Sequence, residues 1–356
     1  MKIAIIHNQF SRGGGMEAYM LSLVKGFLKA GDQVTIITYE VDKKLAGQFP
    51  CTVQRISVPP LPGKWKKFFF IRKCNQVFDA EKYDISLSLT RTSCQDIAVC
   101  GGVHPEVVKR VKRSSLFRRL HDRIEIGFEK DMLETVPLVM AHSAVIAREL
   151  LANYQFDQKK LLTFFPPIDT DTFAPVGLDE AGKTVEKYGI SSDKLTFLFP
   201  SCGHQCKGME SLISAFSSLD PQRFELLVAG APIPGKYPKN IRHIGYVENL
   251  APLYSSVDYT ILPSHYEAFG LVIPESLQCL TPVITTRATG AAELLSEEDG
   301  IILEDNRPQT IVAALNGLEN RVFRVSGNFA ERRRLTIDQH IADIKALAPI
   351  SRQQAQ

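Results

Sequence analysis

Short apolar runs alternate with longer amphipathic stretches along most of this chain. Lys2–Ile6 is apolar almost throughout and predicts a buried strand. Met16–Ala30 places apolar residues at helical spacing and ends at Gly31, a residue suited to a helix C-terminus. The β-branched run Val34–Thr38 predicts the next strand, and Val53–Val58, Ile85–Leu89 and Ile97–Val99 continue the series. Helical stretches are predicted near Phe68–Phe78 and Leu116–Leu133, and strands at Leu138–Ala141 and Leu161–Phe165. Strands alternating with helices imply a parallel sheet covered on both faces.

The pattern then breaks and restarts. Phe165-Pro-Pro-Ile-Asp-Thr-Asp-Thr-Phe-Ala-Pro175 is proline-rich and irregular, the signature of an interdomain connection. Beyond it, strands are predicted at Leu195–Phe199, Phe224–Ala229, Ile241–Ile244, Tyr259–Leu262, Val283–Thr285 and Ile301–Leu303. Helices are predicted at Gly208–Leu219, Ala251–Ser255, Leu271–Cys279 and Gln309–Leu318. The tail, Thr336–Ala348, has helical periodicity and can pack on either half. The expectation is an α/β chain of two doubly wound, Rossmann-like domains, residues 1–167 and 168–335, with a C-terminal helix in 336–356. Ligands of such sheets sit at the strand C-terminal ends, so a cleft between two sets of strand ends is expected.

Composition narrows the function. The formal net charge is +3, too small to argue for nucleic acid, but the charge is unevenly spread. Basic residues interleave with aromatic ones over Lys64–Lys73, and a second basic stretch spans Lys109–Arg123 with Arg110, Lys112, Arg113, Arg118 and Arg119. Either could rest on an anionic membrane surface or form the solvated face of a core helix. No segment approaches the ~18–20 apolar residues that span a bilayer. Met1-Lys-Ile-Ala-Ile-Ile runs directly into a strand pattern without a cleavage site, so no signal peptide is expected. Seven scattered cysteines without a CxxC pair suggest reduced thiols, hence a cytoplasmic protein, one that can also rest peripherally on the inner face of the cell membrane.

Four segments carry candidate chemistry. Arg12-Gly-Gly-Gly15 follows the first strand and opens a helix, where backbone can approach an anionic ligand closely. A dinucleotide fingerprint with Glu40 as the ribose acid fits poorly, because six residues (His7–Arg12) separate strand and glycines. Gly203-His-Gln-Cys-Lys-Gly208 follows the first strand of the second half, and Lys207 at a helix start can pair with phosphate. Cys202, His204 and Cys206 are spaced unlike zinc ligands, and no metal is expected. Gly101-Gly-Val-His104 puts a histidine at a strand end, where it can bond a sugar hydroxyl or simply be structural. Finally, Glu267 and Glu275 bracket Ala268-Phe-Gly-Leu271 at a loop-to-helix junction. Carboxylates at both ends can accept hydroxyl bonds, and free amides between them suit an anion.

Taken in order, these motifs resemble the retaining glycosyltransferases of family 4, which have the two-domain GT-B fold. The E-x7-E pattern is matched by Glu267 and Glu275 and is followed by Pro282-Val-Ile. The glycine loop Gly13–Gly15 with Glu17, the Lys207-Gly208 pair, Gly102-Val-His104, and the linker Pro166-Pro-Ile-Asp169 through Phe173 match in turn, although the linker lacks the family's glycine. The chain is most similar to lipopolysaccharide core glucosyltransferases through Phe117-Arg-Arg-Leu-His-Asp-Arg to Phe128-Glu129, Phe165-Pro-Pro, Cys206-Lys-Gly and His265-Tyr-Glu-Ala. Many members place an arginine shortly before the lysine; here His204 and Gln205 stand there.

The resemblance implies metal-independent transfer of a hexose with retention. The donor would be a nucleotide-diphosphate sugar, UDP-glucose by the closer resemblance, and no other cofactor is expected. The N-terminal domain would bind the acceptor and the C-terminal domain the donor. Glu267, Lys207 and His104 would be catalytic. Gly14, Gly15, Gly203, His204, Gln205, Ala268, Phe269, Gly270, Leu271 and Glu275 would hold the donor, with Glu275 on the ribose. Arg12, Gly13 and His104 would meet a glycan or lipid-linked acceptor, in lipopolysaccharide core or cell-surface glycan synthesis. A GDP-mannose-type mannosyltransferase is one alternative. A non-catalytic sugar-nucleotide-binding protein on a membrane surface is another.

Overall fold

The computed structural model describes residues 1–110, 116–204 and 206–348, with Lys64 described through its backbone alone. Lys112, Arg113 and Gln205 therefore lie outside the described residues. The chain divides into two compact units, Met1–Pro167 with the segment from Ile337, and Ile168–Thr336.

The first unit is built on a seven-stranded parallel sheet. Its strands are β1 (Lys2–Ile6), β2 (Gln33–Thr38), β3 (Thr52–Arg55), β4 (Ile85–Ser88), β5 (Ile97–Cys100), β6 (Leu138–Ala141) and β7 (Leu161–Thr163). They lie in the order β3-β2-β1-β4-β5-β6-β7. Ile3, Ile5, Leu87 and Ile97 are fully buried, as strands covered on both faces require. The second unit carries β8 (Leu195–Ser201), β9 (Phe224–Gly230), β10 (Ile241–Gly245), β11 (Tyr259–Leu262), β12 (Val283–Thr286) and β13 (Gly300–Leu303). Their order is β10-β9-β8-β11-β12-β13. Both orders reverse direction beside the first strand of the unit, between β1 and β4 and between β8 and β11. That reversal opens a crevice at the strand C-terminal ends. Each unit is thus a doubly wound parallel α/β sheet, as the alternation of the sequence implies.

Most predicted elements sit within a few residues of their expected limits, and the departures have physical causes. The third strand stops at Arg55 rather than Val58; Ile56 still donates to the Thr38 carbonyl at 2.8 Å, but Pro59 and Pro60 end the ladder. Helices at His104–Arg110, Ala144–Asn153 and Leu178–Tyr188 were not anticipated. Leu178–Tyr188 is mostly polar, and only its αL cap at Gly189 (φ 58°) punctuates the sequence.

The tail helix, Ile337–Ala346, packs on the first unit against the helix Gly15–Lys29. Gly26 makes the contact possible: a Cβ there would lie 2.5 Å from side-chain carbons of both Ile337 and Ile341. Tyr19 and His340 are bonded at 2.8 Å in this interface, and burial pushes His340 down to about 3, so the ring is neutral. Lys345 and the N-terminal ammonium both reach Asp32, at 2.8 and 2.7 Å. Gly26→Ala should therefore cost about 1–3 kcal/mol of overpacking despite alanine's better helix propensity. Urea unfolding should show a lower midpoint for that variant; a midpoint equal to wild type or higher would contradict this packing.

Candidate active site

The second unit brings Lys207, Glu267 and Glu275 to one end of its sheet. β8 leads into the loop carrying Gly203, His204 and Lys207, and β11 leads into the loop carrying Glu267. The two loops are tied by a bond from the His265 N–H to the Cys206 carbonyl, 2.9 Å. Gly208 has φ +87°, and a Cβ there would strike the Pro263 carbonyl oxygen at 2.1 Å. Only glycine lets the lysine loop lie this close to the glutamate loop.

The Glu267 loop is pinned from its other side. Its N–H donates to the Ala288 carbonyl at 3.0 Å, and its carbonyl accepts from the Gly290 N–H at 2.9 Å. Gly270 turns the chain at φ +89°, where a Cβ would crowd both Thr289 and the Glu267 side chain. Among the described residues no protein acceptor is found for the N–H groups of Gly270 and Leu271. They precede the helix Val272–Gln278, which carries Glu275 on its first turn.

Among the described residues neither glutamate is in an ion pair, and Lys207 acts on both only through its field. Burial raises the Glu267 carboxyl above its ordinary value, with nearby Lys207 opposing. Burial raises Glu275 more strongly, to about 7, against a bond donated by the Tyr254 hydroxyl at 3.2 Å and the field of Lys207. No hydrogen bond or ion pair from the Lys207 ammonium is found among the described residues. A cation, two partly buried acceptors and open amides thus converge on one place.

His204 is placed differently from its neighbours. Its Nδ1 is 3.0 Å from the Ser201 hydroxyl and its Nε2 3.0 Å from the Ala231 carbonyl, so both nitrogens are engaged inside the protein. The ring also stacks on Phe199. His204 therefore holds the loop shape in this structure, and the same bonds occupy the ring that stands between Cys202 and Cys206.

The first unit has its own cavity, of about 370 Å³, at the ends of β1, β4 and β5. Gly15, Glu17, His7, Arg91, Gly101 and Glu129 are among its walls. Gly15 leaves open space where a side chain would stand, whereas Gly101 makes room for Met16. Gly13 and Gly14 sit against Glu17, and Arg12 is exposed beside them. Glu17 is drawn down to about 2, first by His7, although burial opposes, and Gln9 also donates to it at 3.1 Å. His7 is buried, with its Nε2 3.5 Å from the Glu17 carboxylate, too long for a good hydrogen bond. His104 adjoins this cavity through Glu129, one of its walls: its N–H donates to Glu129 at 2.9 Å and its Nε2 lies 3.0 Å from Asp122.

One helix face supplies that environment. Asp122, Glu125 and Glu129 lie on a single side of Leu116–Thr135. Arg91 bonds Glu129 and Glu125, each at 2.8 Å, and Lys67 bonds Glu125 at 2.7 Å. Burial would raise Glu125, but Arg91 and Lys67 hold it below its ordinary value. The spacing of these acids was visible in the sequence; their buried partners, and Tyr254 beneath Glu275, were not, because they come from distant segments.

Residues 13–172 match Glycosyltransferase Family 4, and residues 194–320 match Glycosyl transferases group 1. The chain belongs to glycosyltransferase family 4. A probable transglycosylase of Burkholderia thailandensis is 29% identical over 98% of this chain and 97% of its own length. A D-inositol 3-phosphate glycosyltransferase of Geodermatophilus obscurus is 24% identical over 94% of this chain and 85% of its own. The fold is shared with Anabaena Alr3699/HepE in complex with UDP-glucose (TM-score 0.75, 17% identity, 97% and 98% covered). It is also shared with WaaG, a glycosyltransferase involved in lipopolysaccharide biosynthesis (TM-score 0.74, 16% identity, 99% and 98% covered).

The buried glutamate of this glycosyltransferase should weaken the fold. Glu275 is raised from 4.5 to about 7, so folding favours its protonated form. Stability present below pH 4.5 is lost as pH rises toward 7. Glu275→Gln should thus be more stable than wild type at pH 8, by up to roughly 3 kcal/mol, and nearly equal to it at pH 4.5. Chemical denaturation at both values checks this; an equal difference at the two pH values would contradict it.

Proposed function

We propose that this enzyme transfers a hexose, with retention, from a nucleotide-diphosphate sugar to a saccharide or lipid-linked acceptor. UDP-glucose is the donor we infer, and lipopolysaccharide core or another cell-surface glycan the acceptor. The observation that carries this reading is the pair of partly buried, unmatched carboxylates flanking open amides beside Lys207. Glu275 takes the ribose hydroxyls and Glu267 those of the donor sugar. Lys207 and the amides of Ala268 to Leu271 hold the diphosphate, whose negative charge grows as the glycosidic bond breaks. Glu267 and Glu275 are then holding groups and not the acid–nucleophile pair of a retaining hydrolase. The attacking hydroxyl approaches the face the diphosphate leaves, and the leaving phosphate accepts its proton. Gly203 and His204 shape the phosphate loop, and Gly14 and Gly15 leave room for the ligand.

Residues 1–167 are the acceptor-binding domain in this reading and residues 168–335 the donor-binding domain. Arg12, Gly13 and His104 face the acceptor. The cavity of the first unit favours an uncharged saccharide: Lys67 and Arg91 are matched by Glu125 and Glu129, and Glu17 adds a further negative charge. That speaks against a phosphorylated acceptor such as the name D-inositol 3-phosphate glycosyltransferase describes for the relatives. The alternative of a non-catalytic binding protein loses support from the retained lysine and both glutamates. Incubation with UDP-, GDP- and ADP-sugars and a lipid A–core acceptor should give transfer with UDP-glucose, and Glu267→Ala should lower the rate at least a hundredfold while leaving the melting temperature near wild type. Turnover only with GDP-mannose would replace the donor; full activity of Glu267→Ala would remove that residue from the site.

We also infer peripheral membrane contact, through the second basic stretch more than the first. In the helix Gly63–Val77, Phe68, Phe70 and Ile71 are buried and Lys67 is bound to Glu125, so that its outer face exposes only Phe69 and Val77 among large apolar residues, each about half. The start of Leu116–Thr135 instead exposes Leu116, Phe117 and Leu120 among Arg118, Arg119 and Arg123. No helix of the described residues is long and apolar enough to cross a membrane. Replacing Leu116, Phe117 and Leu120 by Ser should weaken co-sedimentation with anionic vesicles at least tenfold, and replacing Lys66 and Lys73 by Ser should do less. Unchanged sedimentation of the first variant would retire this surface.

A further inference from the structure

We propose that Asp122 is a positioning residue for His104, fixing its tautomer so that Nδ1 accepts a hydrogen bond from a hydroxyl of the bound saccharide. This rests on the reading above, in which His104 meets substrate. The two side chains come from separate helices: His104 opens His104–Arg110 directly after the Gly101-Gly102 turn, and Asp122 lies within Leu116–Thr135. Both are buried, and Nε2 is 3.0 Å from Oδ1. A carboxylate only accepts, so the proton of this bond belongs to Nε2 and the lone pair to Nδ1.

The same helix grips His104 twice. Asp122 takes the ring, and Glu129, two turns on, takes the backbone N–H at 2.9 Å. Glu129 is itself held by Arg91 and by the Tyr154 hydroxyl at 2.6 Å. The ring is thus fixed in both place and rotation by groups that are already matched. Its Nδ1 makes no hydrogen bond within the described residues and is not among the buried atoms left without a partner, so it reaches solvent. His204, by contrast, engages both ring nitrogens inside the protein.

His104, His121 and Asp122 also have the residue types and spacing to hold a cation. The other groups around the ring speak for the hydrogen bond. Asp122 is already at bonding distance from His104, with the His121 Nδ1 farther from the same oxygen at 3.7 Å. The neighbouring acids Glu125 and Glu129 are taken by Arg91 and Lys67, whose positive charges oppose a metal ion. The inference also gives a role to Asp122, which lies in a stretch that sequence likeness had singled out.

Long-range 1H–15N NMR of wild-type protein, without substrate, should show His104 protonated on Nε2 and bare on Nδ1 at pH 8. Asp122→Asn should lose that single-tautomer signature and lower kcat at least tenfold, with the donor Kd from calorimetry unchanged. Asp122→Glu should recover part of the rate. A wild-type His104 protonated on Nδ1 would overturn the proposal without any variant being made. So would wild-type kcat in an Asp122→Asn protein whose tautomer signature is lost, or stoichiometric zinc in the purified protein that Asp122→Asn releases. Absence of turnover with every donor would instead refute the functional reading, since the tautomer is read without catalysis.

Discussion

Burying a carboxylate away from water is unfavourable unless a partner replaces its hydration, and this chain buries carboxylates in two contrasting ways. In the first unit Glu125 and Glu129 are matched by Arg91, Lys67 and Tyr154, and Glu125 is held in the ionised form. In the second unit Glu267 and Glu275 are partly buried with no ion-pair partner among the described residues, and their carboxyls are raised. A matched acid stabilises its surroundings. An unmatched one weakens the fold and recovers that loss when hydroxyls of a ligand bind to it. The contrast separates scaffold from site without reference to any relative.

The backbone is what makes the unmatched pair possible. Parallel strands bury their side chains on both faces and leave loops at their C-terminal ends to carry chemistry. In the second unit the β8 and β11 loops meet there, and glycines at 208 and 270 permit approaches that any side chain would block. His204 uses both ring nitrogens to hold the first loop, and residues 288–290 hold the second. The glutamates are therefore presented by rigid supports, which is what lets their desolvation persist.

The first unit shows the same economy with different parts. The acids at 122, 125 and 129 share one helix face and organise a histidine, an arginine and a lysine from three other segments. The two cations lining their cavity, Lys67 and Arg91, are both ion-paired. The tail helix, seated over Gly26, ties the chain's last described segment to its first helix.

Much of this was legible beforehand. Apolar runs such as Lys2–Ile6 and Tyr259–Leu262 could be read because a strand covered on both faces admits little else, and the break after Phe165 marked where one alternation ends. Glu267, Glu275 and Lys207 stood out because their loop and helix context is local in sequence. Mostly polar helices such as Leu178–Tyr188 escaped, although Leu178, Ala181, Val185 and Tyr188 recur there at helical spacing. The sequence by itself determined the doubly wound architecture, the family and the carboxylate pair, because each follows from residues near one another in the chain. Only the tertiary structure decided which acids are matched, that His204 is spent on its own loop, that Phe68 and Phe70 face the core while Leu116 and Phe117 do not, and that Asp122 holds His104. Those outcomes depend on side chains brought together from distant segments, and charge and burial act through space, not along the chain.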